Sequence, residues 1–363
     1  VDGAGTRTIF AGEMPGIWRV RETAGGWSSD EMTLVSGSDL ALVSAGRAID
    51  ETHAFAAYHN LSDYTPRLVA REGSCWRSTQ LSAAPVVSMG MDVDSMNRPW
   101  VAWLASSAGR AALGLAGPDG TVYAPWTGTM TGDTYSFWDR PAVLAGGLTG
   151  QSAFPALATQ RSDGLHVITP DAGTAFWTDR VLPGSSRLAY TGNCPPVMSF
   201  GSAPACMGLT TCTQHGAGAF SGFGLVRTGS GRAYAGWLEF QFDATYALTQ
   251  SGITCGFAAA PGGPVGGGTQ PVVAPNCMCL QSPTSVASTI TMAIARVATN
   301  AATPVEAVRR YRLATGSRLP TGAPSALSLV MAARANTLLV VASLGAMPDA
   351  ELQYFEIDSS ALP

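Results

Sequence analysis

Short apolar or aromatic runs alternate with clusters of Gly, Asp, Asn and Ser along the whole chain. This is the punctuation of strands and tight turns. Ile17–Val20, Leu40–Val43, Ala54–Tyr58, Arg67–Arg71, Val86–Val93, Trp100–Leu104, Ala111–Ala116, His166–Thr169 and Tyr234–Phe242 read as strands. Ile290–Val297, Leu327–Ala333, Thr337–Ser343 and Glu351–Ile357 follow them. No long stretch carries a 3.6-residue period, which a surface helix requires. Pro304–Leu313 alone reads as either a short helix or an outer strand. The pattern predicts an all-β chain.

A second, longer period lies over the first. Trp27, Trp76, Trp126 and Trp177 recur at steps of 49, 50 and 51 residues, each closing a Gly-containing phrase. Self-similarity at such a period marks a repeat architecture, and periods of 40–50 residues favour propellers. The clearest repeat is Met89–Trp126, read as four antiparallel strands, Met89–Val93, Trp100–Leu104, Ala111–Ala116 and Val122–Trp126. Four such strands make one blade. The preceding repeat keeps the order with Leu40–Val43, Ala54–Tyr58, Arg67–Arg71 and Trp76–Leu81. Each Trp falls on the outermost strand, where an indole can cover a neighbouring blade. Trp27, Trp76, Trp126 and Trp177 are therefore read as structural.

The start supplies only later strands of a blade and the end only earlier ones, so the termini are expected to complete one shared blade. Mixing the termini removes an exposed sheet edge. Counting that blade gives a single propeller domain over 1–363 with about six blades, five or seven remaining open. The segments are the shared blade, 34–83, 84–135, 136–185 and roughly two blades from 186–324.

Composition narrows the class. Charged residues are 13% of the chain, all 21 basic residues are Arg, and the formal net charge is −4. Scattered charges of this sign exclude the basic stripe of a nucleic-acid binder. No apolar run reaches the length of a membrane helix, because Arg334 and Asn336 interrupt Leu327–Met347. The start, Val1-Asp2-Gly3, reads as a mature chain whose leader was removed.

Six of the seven cysteines, Cys194, Cys206, Cys212, Cys255, Cys277 and Cys279, fall within Gly/Pro-rich sequence. They predict a disulfide-stapled loop insertion over about 194–279 in an oxidising compartment. One bridge is expected within Cys194–Cys212 and another from Cys255 to Cys277 or Cys279, with Cys75 the odd thiol. A zinc site using Cys212, His215, Cys277 and Cys279 is the rival, but it lacks paired structural-zinc spacings.

The phrase Thr169–Trp177 (TPDAGTAFW) resembles the Asp-box of sialidase-like propellers. Thr169, Asp171, Gly173 and Phe176 fit its Ser/Thr-x-Asp-x-Gly-x-x-aromatic pattern, and Pro118-Asp119-Gly120 is a partial second copy. Met89–Trp103 (MGMDVDSMNRPWVAW) also looks like the repeated blades of secreted bacterial propellers of unassigned function. Gly231–Trp237 is a weaker echo that lacks the Pro and the Asp-rich turn. The resemblance covers about half the chain. It implies a propeller in which Asp171 and Gly173 shape a turn. The catalytic Arg-Ile-Pro phrase of sialidases is missing, so the resemblance supplies no catalytic residue.

Other candidate chemistry is sparse. His59 and Asn60 end a strand where loops of a propeller carry function. Glu239, next to Trp237 on an apolar strand, needs a partner or a channel mouth to offset its burial. Both pairs are candidate ligand contacts. Asp92, Asp94 and Asn97 offer oxygen ligands suited to calcium; no other cofactor is indicated. Ala219-Phe220-Ser221-Gly222 misses the glycine offsets of a nucleophile elbow, and no phosphate-binding or zinc-protease motif occurs. The expectation is a secreted, periplasmic or cell-surface module that binds a glycan or a protein. A propeller hydrolase or lyase acting on sugars or lactones is the alternative, and would bring His59, Asp92 and Glu239 together. A structural subunit of a surface assembly is the third reading.

Overall fold

The computed structural model describes residues 6–362 apart from 14–15, 35–40, 73–74, 108–109, 130–139, 162, 172–175, 195–208, 252–277, 300–304, 317–326 and 345–350. The described chain is almost entirely antiparallel strand, arranged as six sheets in chain order. The first holds β1 (Thr8–Glu13), β2 (Gly16–Thr23) and β3 (Gly26–Leu34). The second holds β4 (Ala41–Ala48), β5 (Ala54–Asn60), β6 (Pro66–Glu72) and β7 (Cys75–Gln80). The third holds β8 (Val86–Val93), β9 (Pro99–Ser107), β10 (Arg110–Ala116) and β11 (Val122–Thr129). The fourth holds β12 (Ala142–Leu144), β13 (Ala156–Arg161), β14 (Gly164–Pro170) and β15 (Trp177–Val181).

The fifth sheet holds β16 (Ala189–Gly192), β17 (Thr211–Arg227), β18 (Ala233–Ser251), β19 (Met278–Val297) and β20 (Val305–Gly316). The sixth holds β21 (Leu327–Arg334), β22 (Thr337–Leu344) and β23 (Glu351–Asp358), followed by a 3-10 turn at Ser359–Ala361. Among the described residues, no helix is long and apolar enough to cross a membrane.

The sheets stack face to face, with one hydrophobic cluster in each gap. Ile17 meets Tyr58 and Val69 between the first two sheets. Phe55 meets Met89 and Trp103 in the next gap. Trp100 and Leu113 meet Leu157 and Ile168 between the third and fourth sheets. Leu165 and Leu182 meet Phe223 and Trp237 between the fourth and fifth, and Phe240 and Met292 share a cluster with Leu329 and Val340 in the last gap. Strands covered on both faces need not alternate, so β5 (AFAAYHN) and β13 (ALATQR) are buried at every position. Their small residues allow close approach. Gly90 on β8 marks the limit, since a Cβ there would overlap the Pro141 carbonyl.

The second and third sheets match the strand order read from the repeats. The fifth departs from it. Residues 211–251, expected inside a loop insertion, are mostly β17 and β18, and one sheet stands where two blades were expected. Its strands are long because alternation never breaks: Leu238, Phe240, Phe242, Ala244 and Tyr246 are buried while Gln241 and Asp243 are exposed. β19 alone, with 20 residues, spans roughly 60 Å. The Pro304–Leu313 ambiguity resolves as strand β20.

The termini also differ from expectation. They form two separate sheets, with no strand pairing between them among the described strands. Each keeps an apolar face turned from its neighbour. Ile9 and Trp27 lie on that face of the first sheet, and both are about half exposed. On the sixth, Val330, Val341 and Tyr354 form one cross-strand row, with Leu352 beside it. Val330 is 65% exposed and Leu352 69%.

Cys194 and Cys212 form a disulfide, with Cα atoms 4.9 Å apart. Cys75 is an exposed thiol outside it. Cys206, Cys255 and Cys277 lie outside the described residues, and Cys279 falls on β19. The bridge closes an 18-residue separation, for which chain-entropy arguments give about 3 kcal/mol. Replacing both cysteines by Ser is expected to lower the melting temperature by several degrees. The wild type should lose the same increment on reduction, measured by calorimetry.

Candidate functional site

Strands of five sheets converge. β4, β8, β12 and β21, each the first strand of its sheet, line one cavity of about 400 Å³ together with β17, the second strand of the fifth sheet. Such an arrangement is propeller-like. The lining residues are mostly glycine, methionine and other apolar residues, with Arg47 and Arg140 the charged ones. Arg140 Nη1 donates to the Ser44 carbonyl at 2.8 Å. Arg47 Nε donates to Asp92 Oδ1 at 3.3 Å.

β4 also leads to the candidate pair at the end of β5. The register sets Leu42 opposite His59 and Ala41 opposite Asn60, so both sit at the Ser44–Arg140 end of β4. His59 is buried, its ring stacked on Tyr64 with centroids 5.8 Å apart. Among the described residues neither ring nitrogen has a protein partner, nor do the buried Asn60 Oδ1, Thr65 Oγ1 and Arg67 Nε. Buried polar atoms without partners are uncommon and costly, and here five gather on one hairpin. Burial lowers the His59 pKa, the Arg140 charge acts in the same direction, and Asp63 opposes both. The imidazole is therefore held neutral, with one donor and one acceptor.

The other predicted residues stand apart. Trp237 is fully buried between the fourth and fifth sheets, which makes it a core residue rather than an open platform. Its indole Nε1 donates to Glu239 Oε1 at 3.2 Å. Arg310 grips the same carboxylate through Nε and Nη2 at 2.9 and 3.0 Å. That ion pair answers how an apolar strand tolerates Glu239. Glu239 and Arg310 line a separate groove of about 240 Å³.

Asp94 closes its own turn. Its Oδ1 accepts from Met96 N and Arg98 N, and its Oδ2 from Arg98 Nε at 2.9 Å. Burial opposes its ionisation, but Arg98 and these amides outweigh it and leave the pKa below the ordinary value. Asn97 takes the left-handed conformation the turn requires, φ 60°. Asp92 bridges sheets, accepting from Arg47 and from Ala145 N. Among the described residues, no group of three His, Cys, Asp or Glu is placed to hold a metal. His59, Asp92 and Glu239, required together by the enzyme reading, sit on β5, β8 and β18 with different partners.

Every repeat tryptophan lies on the last strand of its sheet, but their surroundings differ. Trp76 donates to Asp30 of the first sheet at 3.1 Å, and Asp30 also holds Arg19. Trp126 lies under the Arg161 guanidinium at 4.0 Å. Trp177 meets Phe154 edge-on, while Trp27 is 52% exposed. Asp171 Oδ1 accepts from the Thr178 hydroxyl at 2.6 Å. Gly173 lies outside the described residues.

One charged array had no sequence signal. His166 is buried with Nε2 2.7 Å from Asp163 and Nδ1 2.9 Å from Asp179. Arg161 Nη1 donates to Asp179 Oδ2 at 2.6 Å. Each ring nitrogen thus faces a carboxylate. Arg161 and Asp179 are 18 residues apart and meet only through hairpin pairing, so no local motif announces them.

No protein-family model matches the chain, and neither does any curated protein. Solved structures similar to it include a crystal structure of a nidogen/laminin complex, at 12% identity and TM-score 0.38. That match covers 97% of this chain and 94% of that one. A protein from Lactobacillus plantarum is similar at 11% identity and TM-score 0.35, covering 97% and 95%.

The His166 array predicts an acid response. Burial raises the pKa of Asp163 and of Asp179, but their bonds to His166 outweigh it and both end below the ordinary 3.8. Their contribution is therefore complete above about pH 4 and is lost as pH falls through the lower folded values. Asp179→Asn leaves Arg161 and His166 buried without that carboxylate, a change costing about 3 kcal/mol. Denaturant titrations from pH 7 to 2 should show that loss at pH 7 and a shallower acid dependence than in the wild type.

Proposed function

We propose that the chain is a six-bladed propeller acting as a secreted or cell-surface binding module. It takes a glycan or a protein segment where His59 lies within reach of the Arg140 charge, beside the cavity that Arg140 lines. The observation carrying this reading is the row of buried, unpartnered polar atoms at His59, Asn60, Thr65 and Arg67, at the Arg140 end of the cavity-lining strand. A site that spends stability on unsatisfied donors and acceptors is suited to a ligand supplying the missing bonds. The Cys194–Cys212 disulfide fits an oxidising location.

Ring closure belongs to the same proposal. The six sheets have five buried gaps among the described residues, and the outer faces of the first and sixth sheets are apolar. Joining those faces makes the sixth gap. This closes the ring by face-to-face packing rather than by a shared mixed blade.

Two measurements test these statements. In a glycan array and a pull-down from extracellular extracts, Arg140→Ala and His59→Phe should each weaken the wild-type ligand at least tenfold while the fold persists. Unchanged binding would remove the mouth from the site. In a Cys75→Ser background, Ile9→Cys with Val330→Cys should give a bismaleimide-crosslinked monomer that the background alone, which keeps Cys206, Cys255, Cys277 and Cys279, does not give. Crosslinked dimer, or no crosslink, would count against closure.

A further inference from the structure

A second cavity, of about 590 Å³, opens between the fourth and fifth sheets, lined by Thr169, Asp171, Thr178, Arg180, Gln151 and Phe154 among others. The first four share one face of the β14–β15 hairpin. Register pairs Thr169 with Thr178 and Val167 with Arg180, and Asp171 N donates to the Phe176 carbonyl at 2.8 Å, carrying the ladder one step further. Alternate residues point to one side of a strand, so these groups form a polar stripe, with Arg180 the buried one. Arg180 Nη2 donates to Thr169 Oγ1 at 3.4 Å and Nη1 to the Ala298 carbonyl at 3.2 Å. At the other end of the stripe, Thr178 donates to Asp171.

The opposite wall is held in place. Arg227 Nη1 donates to the Ala145 and Gly147 carbonyls at 3.0 and 2.6 Å, pinning the loop that carries Gln151. The Phe154 ring is fixed edge-on by Trp100, Tyr123 and Trp177. A preset wall lowers the ordering cost of binding.

The chemistry selects among ligands. An apolar ligand would desolvate Asp171 and Arg180 without replacing their hydrogen bonds. A purely anionic ligand would suit Arg180 but meet the Asp171 carboxylate. Hydroxyl groups both donate and accept, so a polyol can serve the guanidinium, the carboxylate and the threonines together. We infer that this cavity is a saccharide-binding site, separate from the mouth of the central cavity.

The test uses the whole chain on a printed array of neutral and acidic oligosaccharides, followed by calorimetry with the strongest hit. Asp171→Asn and Gln151→Ala alter exposed positions and should keep the wild-type melting temperature. Each is expected to weaken the hit at least tenfold. A blank array with folded protein overturns the inference, and a protein partner found by pull-down would leave the binding-module reading standing. A hit that Arg140→Ala abolishes and both cavity variants bind unchanged also overturns the inference, because it assigns the sugar to the mouth. Loss in the cavity variants alone supports the inference.

Discussion

A four-stranded sheet with two apolar faces is unstable until both are covered. The architecture follows from that constraint. Strands such as β5 and β13 carry small and apolar residues at every position because another sheet lies on each side of them. Each gap is filled mainly from the two sheets that flank it, so the core is five thin layers rather than one interior. Burial at roughly 25 cal/mol per Å² of apolar surface makes each layer a separate cooperative contribution. The two outermost faces have no such cover, which is why their exposed Val330, Leu352 and Trp27 bear on how the array is completed.

The same stacking decides where chemistry can sit. Groups on strand interiors are consumed by packing or by ion pairs between neighbouring strands. Trp237 fills a gap, Glu239 is held by Arg310, and Asp92 bridges two sheets. Strand ends, hairpins and the strands converging on the central cavity leave polar groups facing space. Both proposed sites are of this kind. One lies where β5 ends beside β4, the other where β14 and β15 meet the loop after β12.

Local patterns were legible where local physics suffices. The four strands of Met89–Trp126 could be read because each is short, apolar and bounded by a turn such as Pro118-Asp119-Gly120, where Asp119 caps Thr121 N at 3.0 Å. The pairing of Cys194 with Cys212 was within reach because the two lie close in sequence. The fifth sheet was not legible from Gly/Pro content and cysteine spacing. Those features pointed to loops, whereas the alternation from Leu238 to Tyr246 carries an unbroken strand. Pairings set by register, such as Arg161 with Asp179, leave no trace at any fixed spacing. The site residues divide in the same way: His59 could be singled out as a strand-terminal polar group, but its unpartnered neighbours Thr65 and Arg67 emerge only once the hairpin closes.

The two polar clusters at hairpin ends then separate by how they are satisfied. At His166 both ring nitrogens are engaged: Asp163 and Asp179 flank the ring, and Arg161 reaches Asp179 while lying over Trp126. A ligand for this ring would first have to break bonds already made, although, among the described residues, Arg161 Nε and Nη2 beside it are buried without partners. Around His59 the balance is reversed. Asp63 is engaged with Arg67 and Thr65 N, while the neutral imidazole and the Asn60 and Thr65 oxygens have no protein partner. Similar residue types at similar hairpin ends thus leave one histidine engaged at both ring nitrogens and the other at neither. Among the described residues, the difference lies in the carboxylates bonded to the ring, two at His166 and none at His59.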